Sequence, residues 1–179
     1  LAMMFALVAL LLSAGYSTSG NSQLISAGLV IIAGLFVSIL LHELGHALAG
    51  HLFGQEVSHI ELTGLGGYCQ FERSLPRSVL VRTVVYLAGP AANLLLWLAF
   101  AWLAQLPDVA GRPILRLAVG TIAISNYYLM MFNLLPAYPL DGGHTLDAWL
   151  GPIFGAAWSV RIVALLGIMT AVGVAYLAF

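Results

Sequence analysis

The sequence predicts an α-helical polytopic membrane protein with about five transmembrane helices, a short glycine-rich β-hairpin and an unwound PLDGG segment. Three observations predict it. Of 179 residues, 61% are hydrophobic and 7% charged, and mean hydropathy is +1.01. Four segments reach the roughly 20 residues that an apolar helix needs to span hydrocarbon. Two of the connections between them are rich in glycine or proline. A soluble domain carries about 25% charged residues, so this chain has too little polar side chain to cover a water-facing surface. That excludes an ordinary cytosolic enzyme. Six arginines, no lysine and a net charge of -1 leave no cationic cluster for phosphates, so no nucleic-acid partner is expected. The single cysteine, Cys69, excludes an internal disulfide and a multi-cysteine zinc site. A metal site would have to use histidine and carboxylate.

Taken in order, Leu1–Tyr16 is a fifth candidate span. Its strongly apolar part is short and no basic region precedes it, so it reads as a trimmed transmembrane helix rather than a cleaved signal. Leu24–Phe53 is apolar without interruption to Leu41, then meets His42, Glu43 and His46. Val57–Phe71, with Gly64, Gly66 and Gly67 flanked by Ile60, Leu62, Tyr68 and Phe71, reads as a strand pair turning at glycine. Val79–Leu106 is broken only by Arg82, Pro90 and Asn93, and Ile114–Leu135 and Trp158–Phe179 complete the long helices. Between these last two lies NLLPAYPLDGG, Asn133–Gly143, whose prolines and glycines stop a helix. Irregular backbone at membrane depth is tolerated where it is buried in protein or lines a watery cavity. Arg73, Arg77, Arg82 and Arg161 fall on one side of this arrangement, Arg112 and Arg116 on the other. The positive-inside rule then places the Phe53–Arg82 connection in the cytoplasm.

HELGH sets His42 and His46 four residues apart, so on a helix both imidazoles project from one face towards one metal ion, with Glu43 beside them. Ionisable residues within a transmembrane helix are costly and functional by default. A catalytic zinc site has three protein ligands and an open position. His51, nine residues after His42, faces the other way; Glu56, His59, Glu61 and Glu72 lie in the connection past the same helix, and Asp108 lies on the opposite side. Asp141, in a segment where no regular structure explains a carboxylate, is the expected third ligand, the alternative being a helix cap. Zn²⁺, two neutral histidines, Asp141 and Glu43 sum to zero charge, which a low-dielectric setting favours. Asn93 is read either as a donor to a substrate carbonyl or its oxyanion, or as a helix-to-helix hydrogen bond. Asn133 and His144 are candidates to orient Asp141. Gly64, Leu65, Gly66, Gly67 and Tyr68 form a candidate substrate edge, since an extended segment can pair with an exposed strand.

HELGH within a hydrophobic segment, AGPAAN at Ala88–Asn93 and NLLPAYPLDGG at Asn133–Gly143, in that order, resemble the site-2 protease family of intramembrane zinc metalloproteases. The resemblance runs from about Leu24 to Trp149. It implies one zinc ion held by His42, His46 and Asp141, Glu43 as general base, and a glycine-rich β-structure beside the cleft. It further implies a single intramembrane metalloprotease domain over residues 1–179, without an evident PDZ or CBS domain. Its partners would be the lipid bilayer and a transmembrane protein substrate, in a prokaryotic cell membrane with the active site nearer the cytoplasm. Two other function classes compete with this reading. A metal permease would explain buried ligands but not Glu43 next to His42, and a catalytically dead helix-binding scaffold would not need a complete ligand set.

Overall fold

The computed structural model describes residues 22–63 and 66–177; the candidate span Leu1–Tyr16, together with Gly64 and Leu65, lies outside the described residues. The first helix, α1 (Ser22–Leu52), is apolar on every face. Packing singles out one stripe of it. Ala27, Ile31, Leu35, Ser38, His42, His46 and Ala49 are buried at spacings of three and four, the repeat that keeps side chains on one helical face. HELGH therefore lies on the same stripe as the apolar core. Gly54 ends the helix with φ +73°, while Gln55 N–H reaches Gly50 O and Gly54 N–H reaches His51 O, a Schellman arrangement that favours glycine.

Strands β1 (Val57–Thr63) and β2 (Gly66–Phe71) pair antiparallel, with Glu61 opposite Tyr68 and Ile60 opposite Cys69, and the register slips between Val57 and His59. The next span, α2 (Val79–Leu103), starts at Ser78, whose hydroxyl accepts from Val81 N–H, and carries Pro90 inside it. A short helix, α3 (Pro107–Ala110), precedes α4 (Pro113–Asn133). Both begin on proline, which is preorganised for a first helical turn. After an irregular stretch, α5 (Asp141–Phe154) and α6 (Ala156–Leu177) close the described chain. Among the described residues, α1, α2, α4 and α6 are long and apolar enough to cross a membrane. The molecule is a multi-pass membrane protein.

The unwound segment is narrower than the sequence suggests. It covers 134–140, and the helix resumes at Asp141, so Gly142 and Gly143 sit inside α5 rather than in irregular backbone. Space explains both glycines. A Cβ on Gly142 would lie 2.5 Å from Leu135 O, and one on Gly143 would lie 2.6 Å from Ala137 O. The first turn of α5 is thus pressed against the bend that precedes it, and Asp141 at its start is favoured by the positive end of the helix dipole.

The α1 stripe packs against α2 and α4, with Ala27, Ile31, Leu35 and Ala118 forming an apolar cluster. Small residues permit close approach, as in many membrane helix pairs: a Cβ on Gly45 would lie 2.7 Å from Ala88 O. Helix α5 is tied to its neighbours by polar contacts. Asp147 accepts from Ser159 on α6 at 2.5 Å and pairs with Arg82 on α2 at 3.4 Å, while Trp149 Nε1–H donates to Thr83 at 2.8 Å.

Candidate active site

Three helical elements converge on one point. His42 and His46 come from α1 and Asp141 from the first residue of α5, across the face of α2. Among the described residues, these three are the group whose ligand atoms lie within 4.8 Å of one another. His42 Nε2 is 3.1 Å from His46 Nε2 and 3.1 Å from Asp141 Oδ2, and His46 Nε2 is 3.3 Å from Asp141 Oδ1. A tetrahedral ion with bonds of about 2.0–2.1 Å to nitrogen and oxygen separates its ligand atoms by about 3.3 Å. The trio has the spacing of such a site.

The protons agree with the distances. His46 Nδ1 faces the carbonyl of Val85 at 2.7 Å, and a carbonyl only accepts, so Nδ1 carries the hydrogen. His42 Nδ1 faces Asn93 Oδ1 at 2.5 Å, which fixes the same tautomer. Both Nε2 atoms therefore present bare lone pairs to each other and to a carboxylate. Asp141 Oδ2 is buried and receives no hydrogen bond although His42 Nε2 is close. Three acceptors facing one another without a proton to share is unfavourable unless a cation lies among them.

Glycine makes the room. A Cβ on Gly89 of α2 would lie 2.6 Å from His42 Nε2 and would strike His46 Nε2 as well. Any side chain at position 89 would fill the metal position. A Cβ on Gly67 would lie 2.7 Å from Glu43 Oε1, so β2 passes directly over the Glu43 carboxylate. Glu43 is buried and is not one of the three converging ligands.

The hairpin's direction follows from its pairing. In an antiparallel pair, successive residues turn their N–H groups to alternate edges. Glu72 N–H reaches Glu56 O on the β1 side. By alternation Gly67, Cys69 and Phe71 direct N–H groups away from β1, whereas Tyr68 directs its own towards β1. The Tyr68 hydroxyl donates to Glu61 and its ring meets His59 edge-on. Burial, then the Glu43 charge, push the Cys69 thiol up to about 11, so it is a thiol rather than a thiolate at neutral pH.

A cavity of about 320 Å³ runs over these groups, lined by HELGH, β2, Asn133, Asp141 and His144. The His144 ring stacks on Tyr86 and lies edge-on to Tyr138, both at 5.0 Å between centroids. Asn133 donates to Leu129 O within its own helix. Asn93 is fully buried and both ends of its amide are engaged: Oδ1 with His42, Nδ2 with Asn126 Oδ1 at 2.8 Å. His51 is exposed on α1. Sequence reading passed over Gly89, Val85 and Asn126. Asn126, an amide in the middle of an apolar helix, was the signal that could have found one of them.

Two histidines of HExxH and a carboxylate, gathered among membrane helices with Glu43 beside them under a strand, define a membrane protein with a metal-binding site. The chain belongs to peptidase family M50, the site-2 protease family, whose family model matches residues 30–115. It is 33% identical over 149 residues to the zinc metalloprotease MJ0392 of Methanocaldococcus jannaschii, covering 82% of this chain and 41% of that protein. It is 36% identical over 130 residues to the putative zinc metalloprotease sll0528 of Synechocystis, covering 72% and 33%. Stage IV sporulation protein FB of Bacillus subtilis is 32% identical over 113 residues, covering 63% and 37%. The chain thus spans about two fifths or less of the length of these relatives. The fold is that of the site-2 protease from Methanocaldococcus jannaschii, with a TM-score of 0.62 at 24% identity over 95% of this chain and 74% of that one.

Proposed function

We propose that this chain is the catalytic domain of an intramembrane zinc endopeptidase, hydrolysing peptide bonds in or near the transmembrane segments of membrane proteins. One observation carries the reading: the buried Glu43 carboxylate lies beside the His42, His46 and Asp141 trio, under β2, without joining it. A transport site has no use for a fourth ionisable group kept out of coordination. Zinc bound by the trio supplies Lewis acidity to a scissile carbonyl and a water that is nucleophilic near neutral pH.

The chain's own residues do the rest. Asp141 and the two Nε2 atoms hold the ion, and the Nδ1 hydrogen bonds to Asn93 and Val85 O fix both rings. Glu43 accepts a proton from the attacking water and delivers it to the leaving amine, the general acid–base role that typically contributes 10² to 10⁴-fold. Asn93 orients His42 through its Oδ1, while one N–H of its amide is given to Asn126. A helical substrate hides its carbonyls in its own ladder, so it must unwind to react. The free edge of β2 at Gly67, Cys69 and Phe71 offers N–H groups to the extended form, with Gly66 and Tyr68 shaping the same cavity wall. Asn133 and His144 line the cavity beside Asp141. The arginine distribution sets this face nearer the cytoplasm.

The test is metal-dependent cleavage. Purified protein in lipid vesicles should cleave a co-reconstituted transmembrane peptide, lose activity to a zinc chelator and regain it on adding Zn²⁺. Cleavage that survives complete zinc removal would overturn the reading.

A further inference from the structure

Behind His42 lies a polar chain that crosses three apolar helices. Asn126 on α4 is fully buried. Its Nδ2 donates to Ile122 O at 2.9 Å and to Ser38 Oγ on α1 at 2.9 Å, and Ser38 in turn donates to Gly34 O at 2.8 Å. Its Oδ1 accepts from Asn93 Nδ2 on α2 at 2.8 Å, and Asn93 Oδ1 accepts from His42 Nδ1.

The direction of this chain is dictated at its far end. Ile122 O is a main-chain carbonyl and can only accept, so it requires the NH₂ end of Asn126. Turning the Asn126 amide over would set its carbonyl against that of Ile122. With NH₂ towards Ile122, Oδ1 must face Asn93; Asn93 must then present NH₂ to Asn126 and Oδ1 to His42. His42 is left with its hydrogen on Nδ1 and its lone pair on Nε2, aimed at Asp141 and His46. Without Asn126 the Asn93 amide is free to turn over, present NH₂ to Nδ1 and move the hydrogen to Nε2, where it blocks the metal.

We propose that Asn126 is a positioning residue of the metal centre: acting through Asn93, it selects the His42 tautomer that can bind the ion. The inference rests on the zinc reading above. Groups that orient a metal-binding histidine typically change metal affinity by 10 to 100-fold when removed. An asparagine kept merely to join helices would act differently, because its loss would be independent of Asn93.

A double-mutant cycle on the full chain separates the two, read as Zn²⁺ affinity by competition with a chromophoric chelator. Asn126→Leu should weaken Zn²⁺ binding about 10 to 100-fold. Asn93→Ala should do the same, and the double variant should bind no more weakly than Asn93→Ala alone. Undiminished affinity in Asn126→Leu, or losses that multiply in the double variant, would overturn the proposal. If Asn126→Leu fails to accumulate in the membrane, Asn126→Ala carries the same comparison. Failure of the wild-type protein to bind one Zn²⁺ would instead remove the zinc reading itself.

Discussion

Position 89 shows how tightly the metal trio is cut into the bundle. Alanine raises helix propensity over glycine by about 1 kcal/mol, so Gly89→Ala should leave the helix intact or firmer. Its methyl group would nonetheless lie 2.6 Å from His42 Nε2, inside the space the ion needs. We expect Gly89→Ala to insert and fold normally while losing nearly all bound zinc, measured by elemental analysis of the purified protein. Stoichiometric zinc in that variant would show that the metal does not sit between α1 and α2. HELGH could be read from the sequence because its logic is local: four residues along one helix decide it. Gly89 and Asn126 could not, since the demand on each comes from residues 47 and 88 positions away, His42 and Ser38. Asp141 was reachable by elimination because a carboxylate in apolar surroundings needs a reason.

The long helices were legible for a related reason. Hydropathy is a sum over about 20 neighbours, and α1, α2, α4 and α6 follow it closely. Helix α5 is different: Gly142 and Gly143 read as breakers, yet they lie inside the helix and serve close packing against Leu135 and Ala137. The hairpin is legible in composition but not in orientation. Alternation along β2 cannot say which residues direct their N–H groups away from β1; the Glu72 N–H bond to Glu56 O does. That contact changes where a proline should be placed. Tyr68, an obvious choice from sequence, directs its N–H to β1. Cys69→Pro should remove an N–H from the free edge. Losing one partner of a hydrogen bond costs about 1–3 kcal/mol, so cleavage should fall about tenfold or more with zinc retained. Cys69→Ala keeps the N–H and should cleave like the wild type, and equal activity of the two variants would sink the main-chain role.

At the scale of the molecule, a multi-pass membrane domain encloses a metal-binding trio, the separate Glu43 carboxylate and a strand edge within one cavity. Burial makes that combination meaningful. Each polar group in it would be unfavourable in hydrocarbon alone, and the groups behind the trio satisfy one another: His46 by Val85 O, His42 by Asn93, Asn93 by Asn126. The account therefore stands on the division of labour between Glu43 and the trio. Zinc content and cleavage of a reconstituted transmembrane peptide, measured side by side for the wild type and Glu43→Gln, test it most directly. The account predicts one zinc per chain in both proteins and a loss of cleavage of about 10² to 10⁴-fold in the variant. Loss of zinc along with activity would make Glu43 a ligand, and retained cleavage would show that it is not the base.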